Sequence, residues 1–202
     1  MNASEALSRL RGMRVLAVTT SDAAALLRLA PDAASHTLRR LATAGLISPV
    51  RKGLWAIADP LDPLTITDYV TAPYPSYVSL QSALYLHGMI MQIPAVIYVV
   101  SLARSQRIKT PAAVYSVHHV APEFFDGYDL LPSGMKIATP EKALVDLFYL
   151  SGTRTRLFAA LPELELPKSF RKGVARRWAA RIEAPRLRTL VNQRLEKVLG
   201  KR

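Results

Sequence analysis

Pro31-Asp-Ala-Ala-Ser-His-Thr-Leu38-Arg-Arg-Leu-Ala-Thr-Ala-Gly45, continued by Leu46-Ile-Ser-Pro-Val50-Arg-Lys-Gly53-Leu-Trp-Ala-Ile57, decides how the first part of this chain folds. Pro31 and Asp32 break the preceding helix, and Asp32 is the expected side-chain cap of a helix over Ala33–Ala44. Within that helix Ala34, Leu38, Leu41 and Ala42 share one face, while Ser35, His36, Arg39, Arg40 and Thr43 lie largely on the other. Gly45 ends it, because glycine accepts the left-handed backbone that closes a helix. Two short apolar runs then flank the basic turn Arg51-Lys52-Gly53, which is the pattern of a β-hairpin.

Upstream, Ala3, Ala6, Leu7 and Leu10 recur at helical spacing, and Asp22 after Thr20-Ser21 opens a short second helix carrying Ala24, Leu26, Leu27 and Leu29. Helix, helix, turn, helix, hairpin is the order of a winged helix-turn-helix. In such modules the last helix reads base edges and the hairpin lies along the phosphate backbone. Ser35, His36, Arg39 and Arg40, with Arg51 and Lys52 at the hairpin tip, are therefore the candidate DNA contacts.

Charge supports a polyanionic partner. The 202 residues hold 27 Lys and Arg against 15 Asp and Glu, a net charge of +12. The excess sits at the two ends: residues 1–58 carry +5 and residues 168–202 carry +10, whereas residues 59–167 carry −3. Half of the residues are hydrophobic, enough for a real core, so global disorder is excluded. Cysteine is absent, which rules out disulfides, Cys-ligated zinc, iron–sulfur clusters and a thiol nucleophile, and suits a reducing cytoplasm.

The proline-rich break Asp59-Pro-Leu-Asp-Pro63 marks the expected boundary between residues 1–58 and residues 59–202. Beyond it the pattern is mixed α/β. A helix is predicted over Ser79–Met91, strands over Ala95–Val100, Ala113–Val120 and Met135–Ala138, and a helix opening at Thr139-Pro140-Glu141. Two more helices, Ser169–Ile182 and Arg186–Leu199, finish the chain. Lys168, Lys172 and Arg176 recur every four residues opposite an apolar stripe of Phe170, Val174, Trp178 and Ile182. That basic face adds contacts to nucleic acid or to an acidic partner, or is simply solvated.

No signal peptide is visible, and the stretch from Tyr69 to Ala103, though free of Asp, Glu, Lys and Arg, is interrupted by Pro73, Pro75 and Pro94. A membrane span is not expected. Nor is an enzyme: His118 and His119 are adjacent on a strand and point to opposite faces, Glu141 and Asp146 are badly spaced to share a proton, and no phosphate-cradling glycine loop is present. Glu123, Asp126 and Asp129 match no known cation cage. The reading has no catalytic residues, no metal and no cofactor.

Two segments, Tyr77-Val-Ser79-Leu-Gln-Ser-Ala-Leu84-Tyr-Leu-His-Gly88 and Ile137-Ala-Thr-Pro140-Glu141-Lys-Ala-Leu144-Val-Asp146-Leu-Phe148, resemble the AbiEi family of type IV antitoxins, in order and across nearly the whole chain. The resemblance implies a winged helix followed by an α/β antitoxin domain, in a bacterial repressor that binds inverted repeats near the promoter of its own operon. Two copies would meet such an operator as a dimer on DNA. The implied functional partner is a nucleotidyltransferase-like toxin, counteracted with or without a stable complex. Ser79, Glu141 and Asp146 match the family pattern. The short, strongly basic C-terminus departs from it. The alternative is a plain transcriptional regulator whose second domain senses a ligand or oligomerises.

Overall fold

Several element ends follow from local side-chain chemistry. The computed structural model describes residues 2–57, 60–152 and 163–200. Helix α1 (Ala3–Gly12) is capped by Asn2, whose side chain accepts from the Glu5 amide at 2.8 Å. Strand β1 (Ala17–Thr19) runs straight into α2 (Thr20–Leu27), where Thr19 and Asp22 form a reciprocal capping box. Helix α3 (Pro31–Thr43) begins earlier than expected, and the proposed cap is corrected. Ala30 holds the cap position without a side-chain bond, and Asp32 lies inside the first turn. Pro31 explains this, since its ring presets the helical φ and it has no amide hydrogen to satisfy. Gly45, at φ +69°, turns the chain out of the helix.

Strands β2 (Ser48–Arg51) and β3 (Leu54–Ala56) form the hairpin, and β1 joins it in an antiparallel sheet of order β1-β3-β2. Gly53, at φ +77°, supplies the left-handed residue of the turn. Burial alternates along β3. Leu54 and Ala56 point away from the helices, and Trp55 packs back towards them.

A second, six-stranded sheet is built from β4 (Ser76–Val78), β5 (Ile97–Ser101), β6 (Gln106–Lys109), β7 (Val114–His119), β8 (Tyr128–Leu130) and β9 (Lys136–Ala138), in the order β6-β7-β5-β4-β9-β8. The β5–β7 and β4–β9 pairs are parallel and the others antiparallel, so the sheet is mixed and the chain is α/β. Its helices are α4 (Thr67–Thr71), α5 (Leu80–Leu86), α6 (Pro140–Ser151), α7 (Lys172–Ala180) and α8 (Pro185–Leu199).

Helix α5 is much shorter than the predicted Ser79–Met91, because Gly88 at φ +68° reverses the chain just beyond Leu86. Helix α7 starts at Lys172, so Lys168 lies in the turn before it and does not share a helical face with Lys172 and Arg176. Among the described residues no helix is long and apolar enough to cross a membrane.

Among the described residues, three apolar clusters hold the molecule together. One is internal to the first unit, with Leu7, Leu10, Leu27, Leu38 and Leu41 drawn from α1, α2 and α3. The largest lies under α5, α6, α7 and α8 and includes Tyr77, Leu84, Val100, Leu144, Phe148 and Leu195. The third crosses the expected domain division, whose residues 58 and 59 lie outside the described ones. Here Ala17, Val50, Leu54 and Ala56 of the small sheet pack against Ile66, Val70, Val99, Tyr115 and Val117. The two units are thus fused through buried apolar surface, with each fully buried Val, Leu or Ile stabilising by roughly 1.5–3 kcal/mol.

Candidate nucleic-acid interface

Helix α3 and the β2–β3 hairpin converge on one cleft of about 470 Å³, lined by Ser35 and Arg39 from the helix and by Arg51, Lys52 and Trp55 from the hairpin. Two hydrogen bonds hold the hairpin in place beside the helices. The Trp55 indole N–H donates to Thr20 Oγ1 at 3.0 Å, and the Thr20 amide donates to the Gly53 carbonyl at 2.9 Å. A partly buried indole needs such an acceptor, so Trp55 is pinned by chemistry as well as by packing.

Within α3, Arg39 reaches back one turn. Its Nη2 donates to Ser35 Oγ at 3.0 Å and its Nε lies 3.4 Å from the Ser35 carbonyl. These bonds orient the guanidinium without neutralising it. Among the described residues, Arg39, Arg40, Arg51 and Lys52 form no ion pair with a carboxylate. His36 and Arg40 do not line the cleft; Arg40 is exposed one step further around the helix. Four of the six sequence-predicted residues therefore share one concavity, and the other two flank it. Thr20, Pro49 and Trp55, also in its lining, escaped the sequence reading. The tryptophan beside a basic turn was the available signal.

The basic C-terminal helices are arranged differently. Lys172 Nζ donates to the Leu199 carbonyl at 2.7 Å, and Arg176 forks onto Glu196 with bonds of 2.7 and 2.9 Å, which holds the Glu196 carboxyl below its usual range. Arg171 donates its backbone amide to the buried Glu141 at 2.7 Å. Arg181 stacks on Trp178 at 4.5 Å and donates to the Glu123 carbonyl. Much of this charge ties α7 to α8 and to the core. Lys168 is exposed and stands apart in its turn.

The polar residues of the two motif segments meet inside the larger core. Asp146 Oδ2 accepts from Ser79 Oγ at 2.7 Å and from Tyr77 OH at 3.1 Å, and its other oxygen is ion-paired with Lys142 Nζ. Lys142 also donates to Tyr77 OH at 2.9 Å and sits 4.0 Å above the Phe124 ring. Burial pushes the Asp146 carboxyl up and the Lys142 ammonium down, while their mutual attraction opposes both shifts. Lys142, Asp146 and Ser79 are fully buried, so the cluster satisfies its polar groups internally. Lys142 was missed in the sequence, although its i,i+4 spacing to Asp146 was readable.

The histidines are likewise in separate settings. His118 is buried against Tyr98, which pushes its pKa down to about 4 through loss of solvation, whereas His119 is exposed. His87 contacts the Ala138 carbonyl through Nε2 at 2.7 Å. Among the described residues no group of three or more His, Asp or Glu side chains is placed to hold a metal ion. No family model matches the chain, and no curated protein is significantly similar to it.

Proposed function

We propose that this protein is a DNA-binding repressor that serves as the antitoxin of a bacterial type IV toxin–antitoxin system. On this reading it works in the cytoplasm and has no catalytic centre or cofactor. Helices α2 and α3 with the β2–β3 hairpin act as a winged helix-turn-helix. Arg39 and Arg40 supply base-edge or phosphate contacts, and Arg51 and Lys52 lie along the backbone.

The observation that carries the reading is the single cleft onto which Ser35, Arg39, Arg51 and Lys52 open, with the cations left unpaired among the described residues. The antitoxin half rests on the motif resemblance. Because the matching Ser79, Glu141 and Asp146 are buried, the surface that counteracts a nucleotidyltransferase-like toxin is made by other residues.

A gel-shift series in rising salt, on DNA from upstream of the protein's own reading frame and with unrelated DNA as competitor, tests the first half. Retardation that survives competitor supports a repressor, and its loss to competitor leaves only general polyanion binding. Co-expression with the neighbouring reading frame tests the second half. If the neighbour is not toxic alone, or is not relieved by this protein, the antitoxin role falls.

A further inference from the structure

Four neighbouring strands of the large sheet meet at one end of it around a cleft of about 590 Å³. Strands β5 and β7 are parallel, with Ser101 opposite His119, so both finish there. Strands β4 and β6 run antiparallel to them, with Ser76 opposite Ser101 and Gln106 opposite Val117, so both of these start there. The crevice outside the carboxyl ends of parallel strands is where open α/β sheets bind ligands. Hydrogen bonds fix its walls. The fully buried Ser101 donates its hydroxyl to the Pro75 carbonyl at 2.8 Å and accepts from the Ala103 amide at 3.0 Å, which ties the loop before β4 to the segment after β5. Ser105 Oγ accepts from the His119 amide at 2.9 Å and keeps its own proton to donate. His119 Nδ1 lies 3.2 Å from the Leu102 carbonyl, which can only accept, so the ring proton sits on Nδ1.

The lining suits an anion that carries a flat ring. All of it comes from the stretch between Asp68 and Glu123, which has no acidic residue. Arg104 is exposed in the cleft and among the described residues pairs with no carboxylate, whereas Asp68 is taken by Lys136. Tyr74 lines the same cleft and is 50% exposed, and Gln106 brings an amide with both donors and an acceptor. We propose that this cleft binds a free mononucleotide. The phosphate takes the Arg104 guanidinium and the Ser105 hydroxyl, a planar fork and a short donor that match phosphate oxygens. The base stacks on Tyr74, and the Gln106 amide pairs with its edge. The cleft shares no lining residue with the one between α3 and the hairpin, so the site stands whether or not the protein binds DNA.

Calorimetric titration of the full-length protein with AMP, GMP, CMP and UMP, and with inorganic phosphate and the matching nucleosides, tests this. At least one nucleotide should bind below about 1 mM, and more tightly than phosphate or its nucleoside. Arg104→Ala and Tyr74→Ala should each weaken it about tenfold or more, while Tyr74→Phe retains it and Arg51→Ala/Lys52→Ala leaves it unchanged. No binding of any nucleotide, or equal binding by Arg104→Ala, overturns the proposal. So does phosphate binding as tightly as the nucleotide with Tyr74→Ala unaffected, which leaves a simple anion site. Loss in the hairpin variant but not in Arg104→Ala also overturns it and moves the nucleotide to the other cleft. Tighter binding of a 5′-phosphorylated trinucleotide overturns the free-nucleotide assignment in favour of a strand end. Arg104 and Tyr74 are exposed, so melting curves of their variants should match the wild type.

Discussion

The Ser79 hydroxyl donates to Asp146 Oδ2 at 2.7 Å, so two segments 67 residues apart meet at one buried hydrogen bond. Ser79 stands where a helix cap is expected, yet its side chain makes no capping bond to α5 and is given to Asp146 instead. The next residue, Leu80, is held at φ +53°, a left-handed conformation that costs a non-glycine residue roughly 1–2 kcal/mol. The turn from β4 into α5 is therefore set by tertiary contact against local preference.

Breaking the buried pair should be far worse than removing it whole. Asp146→Ala leaves the Lys142 ammonium unpaired in the core and is expected to cost about 3–5 kcal/mol, while Lys142→Met/Asp146→Leu should cost clearly less. Chemical denaturation of the three proteins checks the order. A double variant as unstable as the single one would show that the pair itself is needed for folding.

Acid should weaken the fold through His118. With its folded pKa near 4 and an unfolded value near 6.5, the unfolded chain binds the proton first, so stability is full above about pH 6.5 and is lost as pH falls towards 4. Between pH 7 and 5 this one group should cost about 2 kcal/mol. Denaturation at both pH values, repeated on His118→Asn, isolates the contribution. An equal pH dependence in the variant would assign the loss to other groups.

On the candidate interface, Arg39→Ala/Arg40→Ala should weaken specific DNA binding more than tenfold, at about 1–3 kcal/mol for each arginine that reads a base. Ser35→Ala should have a smaller effect of the same kind, because it releases the Arg39 guanidinium from its 3.0 Å anchor without removing it. Competition gel shifts measure both. Unchanged affinity in the double variant would remove α3 from the interface.

Arg28 ends α2 in the left-handed region at φ +55°. Arg28→Gly should relieve that strain and raise stability by about 0.5–1 kcal/mol, even after the greater unfolded-state freedom of glycine is counted. Leu80→Gly should do the opposite, since Leu80 is fully buried and its packing is removed. Thermal melts of the two variants should move in opposite directions.

Cutting the chain at the proline-rich break should not yield a stable second unit. A fragment of residues 60–202 uncovers Ile66, Val70, Val99, Tyr115 and Val117, and loses about 1.5 kcal/mol or more for each large side chain exposed. Self-association on size exclusion or a lowered melting temperature is expected. A monomeric fragment melting like the whole protein would show that the shared cluster adds nothing.

Helix α3, the Gly45 stop, the hairpin around Gly53, and α6 with Pro140 at its start were legible in the sequence. Each rests on backbone sterics or on side chains a turn apart. The same local reasoning placed Lys168 on a helix that starts only at Lys172, because periodicity does not say where a helix begins. Strands β1, β4, β6 and β8 are three or four residues long, too short for alternation to declare itself, and they exist because a partner strand satisfies their backbones. The residue types of the candidate interface were likewise readable. That Arg39 and Arg51 face one cleft was decided by Trp55 and Thr20, which dock the hairpin on the helices. The sequence by itself determined which charges this protein carries. Tertiary structure decided which are already spent, as Arg176 is on Glu196, and which stay open to a partner, because an ion pair depends on what the fold brings within hydrogen-bond reach.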